Sequence, residues 1–276
     1  MARFTGLVAG LGATILAGLV VATSSVAAGS LPALTLTLTK SGVAVGGAEV
    51  SGAVNVVTTV KGKVPNPEPA LIELDPGVPL SAVAKAKATI QAHHGDFNYL
   101  DGYGSMVFDV GAAPGTSSAQ TVLTPGNYIA LDLNGAHSGP TPFVVTASAA
   151  PATLPTPGAT IASIEFNFTG PTTLHEGELV RFENDGFLFH MIQGLGVKSL
   201  ADAKKVEALL LAGKDNAAGK LAISSPVFDG GLSRGGMQQE VINEPPGYYV
   251  ITCFMDTQDG REHTRLGMEK TIRIVK

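Results

Sequence analysis

The sequence predicts an all-β protein made of two tandem Greek-key β-sandwich domains, each interrupted by one inserted helix. Three observations predict it. Apolar and polar residues alternate at period two in several short runs, the mark of strands with one wet face. Glycine and proline are frequent (34 and 17 of 276 residues) while charged residues make up only 15%, which suits short strands joined by turns better than long amphipathic helices. The chain also repeats itself. Ala70-Leu71-Ile72 and the following Gly77 to Lys87 are answered by His190-Met191-Ile192 and Gly196 to Lys205. Val107-Phe108-Asp109 is answered by Val227-Phe228-Asp229, and Pro125-Gly126-Asn127-Tyr128-Ile129 by Pro246-Gly247-Tyr248-Tyr249-Val250, all in one order.

The chain opens with Met1-Ala2-Arg3, an apolar run from Gly6 to Thr23, and Ser24-Ser25-Val26-Ala27-Ala28. A positive start, an apolar stretch and small residues at its end make residues 1–28 a secretory signal peptide, cleaved after Ala27 or Ala28. The competing reading is an uncleaved anchor, because the run is nearly long enough to span a bilayer. No later segment is apolar enough to cross a membrane, so the mature chain is expected to be secreted, or held at the cell surface, with no membrane span.

Residues 29–147 form the first copy. Leu34-Thr35-Leu36-Thr37-Leu38-Thr39 alternates as a strand, and a helix runs from about Ser81 to Ala92. Residues 148–160 are mostly Ala, Pro and Thr with no charge, as in a semi-rigid linker. The second copy, 161–276, has strands at Ile164 to Phe168, Leu179 to Phe182, Gln239 to Ile242, Tyr248 to Phe254 and Lys270 to Val275. Its helix is capped by Ser199, with Asp202 near the positive helix end and Leu200, Ala203, Val206 and Leu210 on one face. Gly230 to Gly236 has no helix or Lys-Ser pair after it to make a phosphate cradle and reads as a flexible turn. The net charge of −5 is spread over both copies, which argues against nucleic acid as a partner.

The chain has one cysteine, Cys253. In an exported protein it cannot form an internal disulfide, so it is buried and inert, oxidised, bridged to another molecule, or bound to metal. Tyr249, Ile251 and Cys253 point the same way along a strand, which places the sulfur at the sandwich rim. His190 follows the turn-forming Asn184-Asp185-Gly186, and His263 and Met268 follow the cysteine strand. Two imidazoles, a soft thiolate and a thioether are the donors of a mononuclear copper electron-transfer site.

At these residues the second copy resembles the cupredoxin family, the small blue copper proteins. The resemblance rests on Glu176-Gly177-Glu178-Leu179-Val180-Arg181-Phe182-Glu183-Asn184, on His190, and on Pro246-Gly247-x-Tyr249-x-x-x-Cys253 with His263 and Gly267-Met268 after it. It extends to a group of secreted actinobacterial cupredoxin-like proteins of unassigned role. The resemblance implies a β-sandwich holding one copper ion by His190, Cys253, His263 and a weak axial Met268. Two positions depart from the family pattern. Nine residues separate Cys253 from His263, a longer loop than the family's, and Met191 stands where the family favours Asn or Ser. The first copy has Ala70 and Asp132 at the repeat positions of His190 and Cys253, and its His137 stands alone, so it is expected to be metal-free.

Each donor has a plainer role open to it: a core histidine, a buried thiol, a solvated loop histidine and a core methionine. Three functions follow, namely electron transfer with a redox partner protein, copper capture or delivery, and a metal-free secreted interaction module. An enzyme is not expected, because the His-x-His pairs of a trinuclear copper cluster are missing from the sequence. The sequence carries no sign of an oligomeric state.

Overall fold

The structure is a computed structural model and describes residues 31–93, 95–112, 115–135 and 139–276. The signal-peptide segment, His94 and His137 lie outside the described residues. In the first half the strands are β1 (Ala33–Thr39), β2 (Gly42–Gly47), β3 (Gly52–Val60), β4 (Pro69–Leu74), β5 (Gly104–Asp109), β6 (Gly115–Leu123), β7 (Gly126–Asp132) and β8 (Thr141–Val145), with helix α1 (Ala82–Ala92) and a 3-10 turn at Phe97–Leu100 between β4 and β5. The second half holds β9 (Ala159–Ile164), β10 (Asn167–Phe168), β11 (Thr173–His175), β12 (Leu179–Asn184), β13 (His190–Val197), β14 (Val227–Leu232), β15 (Met237–Val241), β16 (Gly247–Thr252) and β17 (Glu269–Val275). Between β13 and β14 lie α2 (Leu200–Leu211) and a short α3 (Asp215–Gly219), one helix more than expected, and a 3-10 turn at His263–Leu266 precedes β17.

The same succession occurs twice. β1 pairs parallel with β3, as β9 does with β12. The chain then crosses to a second sheet, where β4 lies between β5 and β7 and β13 lies between β14 and β16. Each cross-sheet pair encloses an apolar core. Leu34, Leu36 and Leu38, the inward residues of β1, meet Leu71, Phe108 and Tyr128 in the first. Val180, Phe182, Ile192, Phe228, Val250 and Ile272 fill the second. The buried face of α2 carries Ala203, Val206 and Leu210, with Ser199 Oγ accepting from Asp202 N at 3.1 Å. Leu200 is 47% exposed and does not share that face.

A matched pair of tyrosines fixes the correspondence of the halves. Tyr128 and Tyr249 donate their hydroxyls to the carbonyls of Thr124 and Pro245, four residues back, at 3.0 and 2.8 Å. Tyr128 pairs with Glu73 and Tyr249 with Gly196. Counting back from these partners sets His190 against Pro67, a slip of three residues from the Ala70 that sequence matching suggests, whereas Cys253 still matches Asp132. Glu68 N donates to Asp132 Oδ1 at 3.0 Å where Met191 N donates to Cys253 Sγ at 3.4 Å. One backbone N–H therefore serves the same strand end in both halves.

The two sandwiches share a sheet. The eight-stranded sheet runs β10-β9-β12-β15-β6-β3-β1-β2, joined across the halves by β15 and β6 at Gln238↔Thr121 and Gln239↔Gln120. The side-chain amide of Gln238 extends the junction, donating to Asp109 O at 3.0 Å and accepting from Asp109 N at 3.2 Å. The Ala/Pro/Thr segment lies along this junction instead of standing free. Ala152 O accepts from Ala53 N (2.8 Å), Pro155 O from Gln239 Nε2 (3.2 Å), and Gly158 N donates to Leu179 O (2.8 Å).

Two further expectations change. Residues Ile164 to Phe168 are not one strand: β9 turns back into β10 through Glu165 and Phe166, and Phe166 takes a left-handed φ of 53°. Alternation at period two persists through such a tight turn, which is why the sequence pattern misses it. The stretch Gly230 to Gly236 is only partly a turn, since Gly230 and Gly231 lie inside β14 and are buried. They are glycines because of close approach. A Cβ on Gly231 would lie 2.3 Å from the Phe189 ring, and one on Gly230 would lie 2.4 Å from Asp109 Oδ1.

Candidate metal centre

His190 opens β13, Cys253 follows the last residue of β16, and His263 opens the 3-10 turn before β17. Their donor atoms all lie within 4.8 Å of one another, the one such group among the described residues. Both imidazoles turn Nδ1 toward the sulfur, His263 at 3.3 Å and His190 at 3.8 Å. The two rings lie 4.9 Å apart between centroids, inclined at 59°. Metal–nitrogen and metal–sulfur bonds of about 2.0 and 2.3 Å meeting near the trigonal or tetrahedral angle would set such atoms about 3.5–3.7 Å apart. The cluster has the size and donor chemistry to hold one first-row ion.

Backbone hydrogen bonds tie these donors together. Cys253 N donates to Met268 O (3.3 Å), Met268 N to His263 O (3.1 Å) and His263 N to Met255 O (2.8 Å). Met268 is completely buried and is tied in this way to both neighbouring donor residues. The nine-residue loop does not carry His263 away from the cysteine, because it closes on itself. Thr257 N donates to Arg261 O (2.8 Å), Gly260 N to Thr257 O (2.7 Å), and Asp256 bridges Glu262. The extra residues form a small outward hairpin whose base returns His263 to Met255.

The surroundings are dry. Cys253 and His263 have no exposed surface and His190 only 1%. Burial pushes the Cys253 thiol up to about 12 and lowers His190 to about 4. Burial, helped by the neighbouring His190, lowers His263 to about 3. The cluster at neutral pH is therefore a protonated thiol facing two neutral imidazoles. Neutral imidazole is ready to bind a metal, whereas the thiol must first release its proton. The outer Nε2 atoms of both histidines are buried without a hydrogen-bond partner.

Phe166 and Glu165, which sequence reasoning did not single out, shape the surroundings of the cluster together with the turn at Asn184–Gly186. The Phe166 ring stands edge-on to His263 at 5.2 Å, presented from the β9–β10 turn at a positive φ of 53°. From the same turn the Glu165 carboxylate accepts hydrogen bonds from Phe187 N and Leu188 N, pinning the segment ahead of His190. Gly186 leaves room there, since a Cβ would lie 2.7 Å from Glu165 Oε1 and 2.9 Å from His190 Nε2. Asn184 closes the turn, its Oδ1 accepting from Gly186 N and its Nδ2 donating to Leu188 O and Leu232 O. Met191 contributes through its backbone N–H on the sulfur, a bond that supports a thiolate.

No protein-family model matches the chain. No curated protein matches it either. Solved structures do. Auracyanin B is 16% identical over 45% of this chain and 93% of its own, with a TM-score of 0.28. Auracyanin A, a blue copper protein from Chloroflexus aurantiacus, is 20% identical over 42% and 96% (TM-score 0.25). The copper-containing nitrite reductase from Thermus scotoductus is 11% identical over 88% of this chain and 67% of its own (TM-score 0.26). The chain is an all-β protein with a buried His–Cys–His cluster able to hold a metal ion.

Proposed function

We propose that this is an exported electron-transfer protein that binds one copper ion in residues 161–276. His190, Cys253 and His263 are the strong ligands and Met268 is the weak axial one. The observation that carries the reading is the convergence of both Nδ1 atoms on a completely buried Cys253 sulfur. Bound copper supplies a one-electron couple, and thiolate with imidazole suits both of its oxidation states. The chain's own task is to keep the donors still. The bonds linking Cys253, Met268, His263 and Met255 fix them before loading, so little rearrangement accompanies electron gain or loss.

Burial favours this role over copper capture or delivery, which calls for an exposed and labile site. Electrons come from and pass to a redox partner protein, and the chain itself is not an enzyme. The pattern of residues 1–28 supports export, and no helix among the described residues is long and apolar enough to cross a membrane. The repeated element order supports a duplication in which residues 29–147 have no copper ligands. The test is repeated reduction and reoxidation of the copper-loaded protein in the presence of a Cu(I) chelator. Electron transfer requires copper to stay bound through the cycles, and loss on the first reduction would assign the protein to copper delivery.

A further inference from the structure

We infer that Asn98, in the half without copper ligands, is a positioning residue for the metal centre of the other half. The inference rests on the copper reading above. Asn98 lies in the 3-10 turn Phe97–Leu100, which Asp96 caps. Asp96 Oδ1 accepts from both Asn98 N (2.8 Å) and Asn98 Nδ2 (2.6 Å). A carboxylate accepts and does not donate, so this pair settles which end of the amide is nitrogen. The amide oxygen consequently points outward, where it accepts from Phe189 N at 2.7 Å. Phe189 is the residue before His190. The same Nδ2 reaches Asp256 O at 3.4 Å, in the loop between Cys253 and His263.

One side chain thus touches both segments that deliver ligands, from a different sandwich. Packing reinforces it. Phe97 stacks on Phe189 with ring centroids 5.1 Å apart, and Phe189 and Met255 join the apolar cluster of Ile72, Ile90, Leu100 and Met106 in the first half. Met255 also packs against the core of the second half, and its carbonyl accepts from His263 N. The half without ligands therefore acts as a brace, and Asn98 is its polar contact. Removing the amide leaves Phe189 N–H without its acceptor, which frees the backbone beside His190.

The test uses the whole mature chain in three forms: wild type, Asn98→Ala, and Gln120→Ala. The last is a control that removes a junction hydrogen bond from Gln239 Nε2 (3.2 Å) without touching the ligand segments. In the metal-free proteins, amide hydrogen exchange at Phe189 is expected to rise about tenfold in Asn98→Ala and not in Gln120→Ala. In the copper-loaded proteins, Asn98→Ala is expected to release copper to a chelator about tenfold faster and to shift its thiolate-to-copper absorption. Asn98→Asp replaces the donating Nδ2 with an oxygen facing Asp96 Oδ1, so repulsion turns the side chain away and exchange at Phe189 is expected to rise there too; this variant serves if Asn98→Ala does not fold. Equal exchange in all variants, or equal copper release in Asn98→Ala and the control, would overturn the inference. A wild-type protein that takes up no copper would refute the copper reading instead, while the exchange comparison would still decide the role of Asn98.

Discussion

Loading the centre at neutral pH should release about one proton per copper ion, and the source of that proton is Cys253. The thiol is held up at about 12 by burial. At pH 7 that is about five pH units, so the metal–thiolate bond must supply about 7 kcal/mol to displace the proton. The imidazoles contribute none, since His190 at about 4 and His263 at about 3 are already neutral. Apparent affinity should therefore rise about tenfold per pH unit across neutral pH, and more steeply below about pH 4, where the imidazoles also hold protons. The assay is anaerobic calorimetric titration with Cu(II) in buffers of different ionisation enthalpy, repeated with redox-inert Co(II). Release of no proton would mean a preformed thiolate, and release of two or more would mean charged imidazoles. Either result would refute this account of the dry, metal-free site.

Two further predictions concern the frame around the centre. Asp109 and Asp229 are buried and raised well above 3.8, first of all by burial and, for Asp109, also by the nearby Glu68 and Asp229. The folded chain keeps protons that the unfolded chain gives up, so this contribution is complete below about pH 4 and is lost as pH rises toward the raised values. The substitution Asp109→Asn, which puts a neutral amide in place of the carboxyl group, is expected to flatten the fall in melting temperature as pH rises above about 4; an unchanged slope would rule out Asp109 as the titrating group. Gly231→Ala places a methyl 2.3 Å from the Phe189 ring, and the displacement should cost on the order of 1–3 kcal/mol, read as a lower denaturant midpoint. An unaltered midpoint would show that Phe189 has room to move.

The sequence made the β1 strand and the donor set legible for physical reasons. Leu34, Leu36 and Leu38 are completely buried while Thr35 and Thr39 are not, so period two was visible. His190, Cys253 and His263 are side-chain types whose chemistry is explicit. The nine-residue gap looked like an obstacle because a sequence shows loop length and not loop closure; the Thr257–Arg261 bond removes the difficulty. Other features depend on partners far away in the chain. Gln239 opens one of the expected strands and Gln238 precedes it, and both are buried where β15 meets β6. Phe166 continues the alternation while its backbone turns left-handed in the two-residue turn from β9 to β10, where its ring meets His263. Asn98 gave no signal, since its partners are 91 and 158 residues away.

The most direct test of the central claim is the visible absorption of the Cu(II)-loaded mature protein beside a Cys253→Ser variant. A centre built from His190, Cys253 and His263 predicts an intense thiolate-to-copper band in the wild type and none in the variant. A wild type that binds no copper, or binds it with the same weak spectrum as Cys253→Ser, would contradict the account.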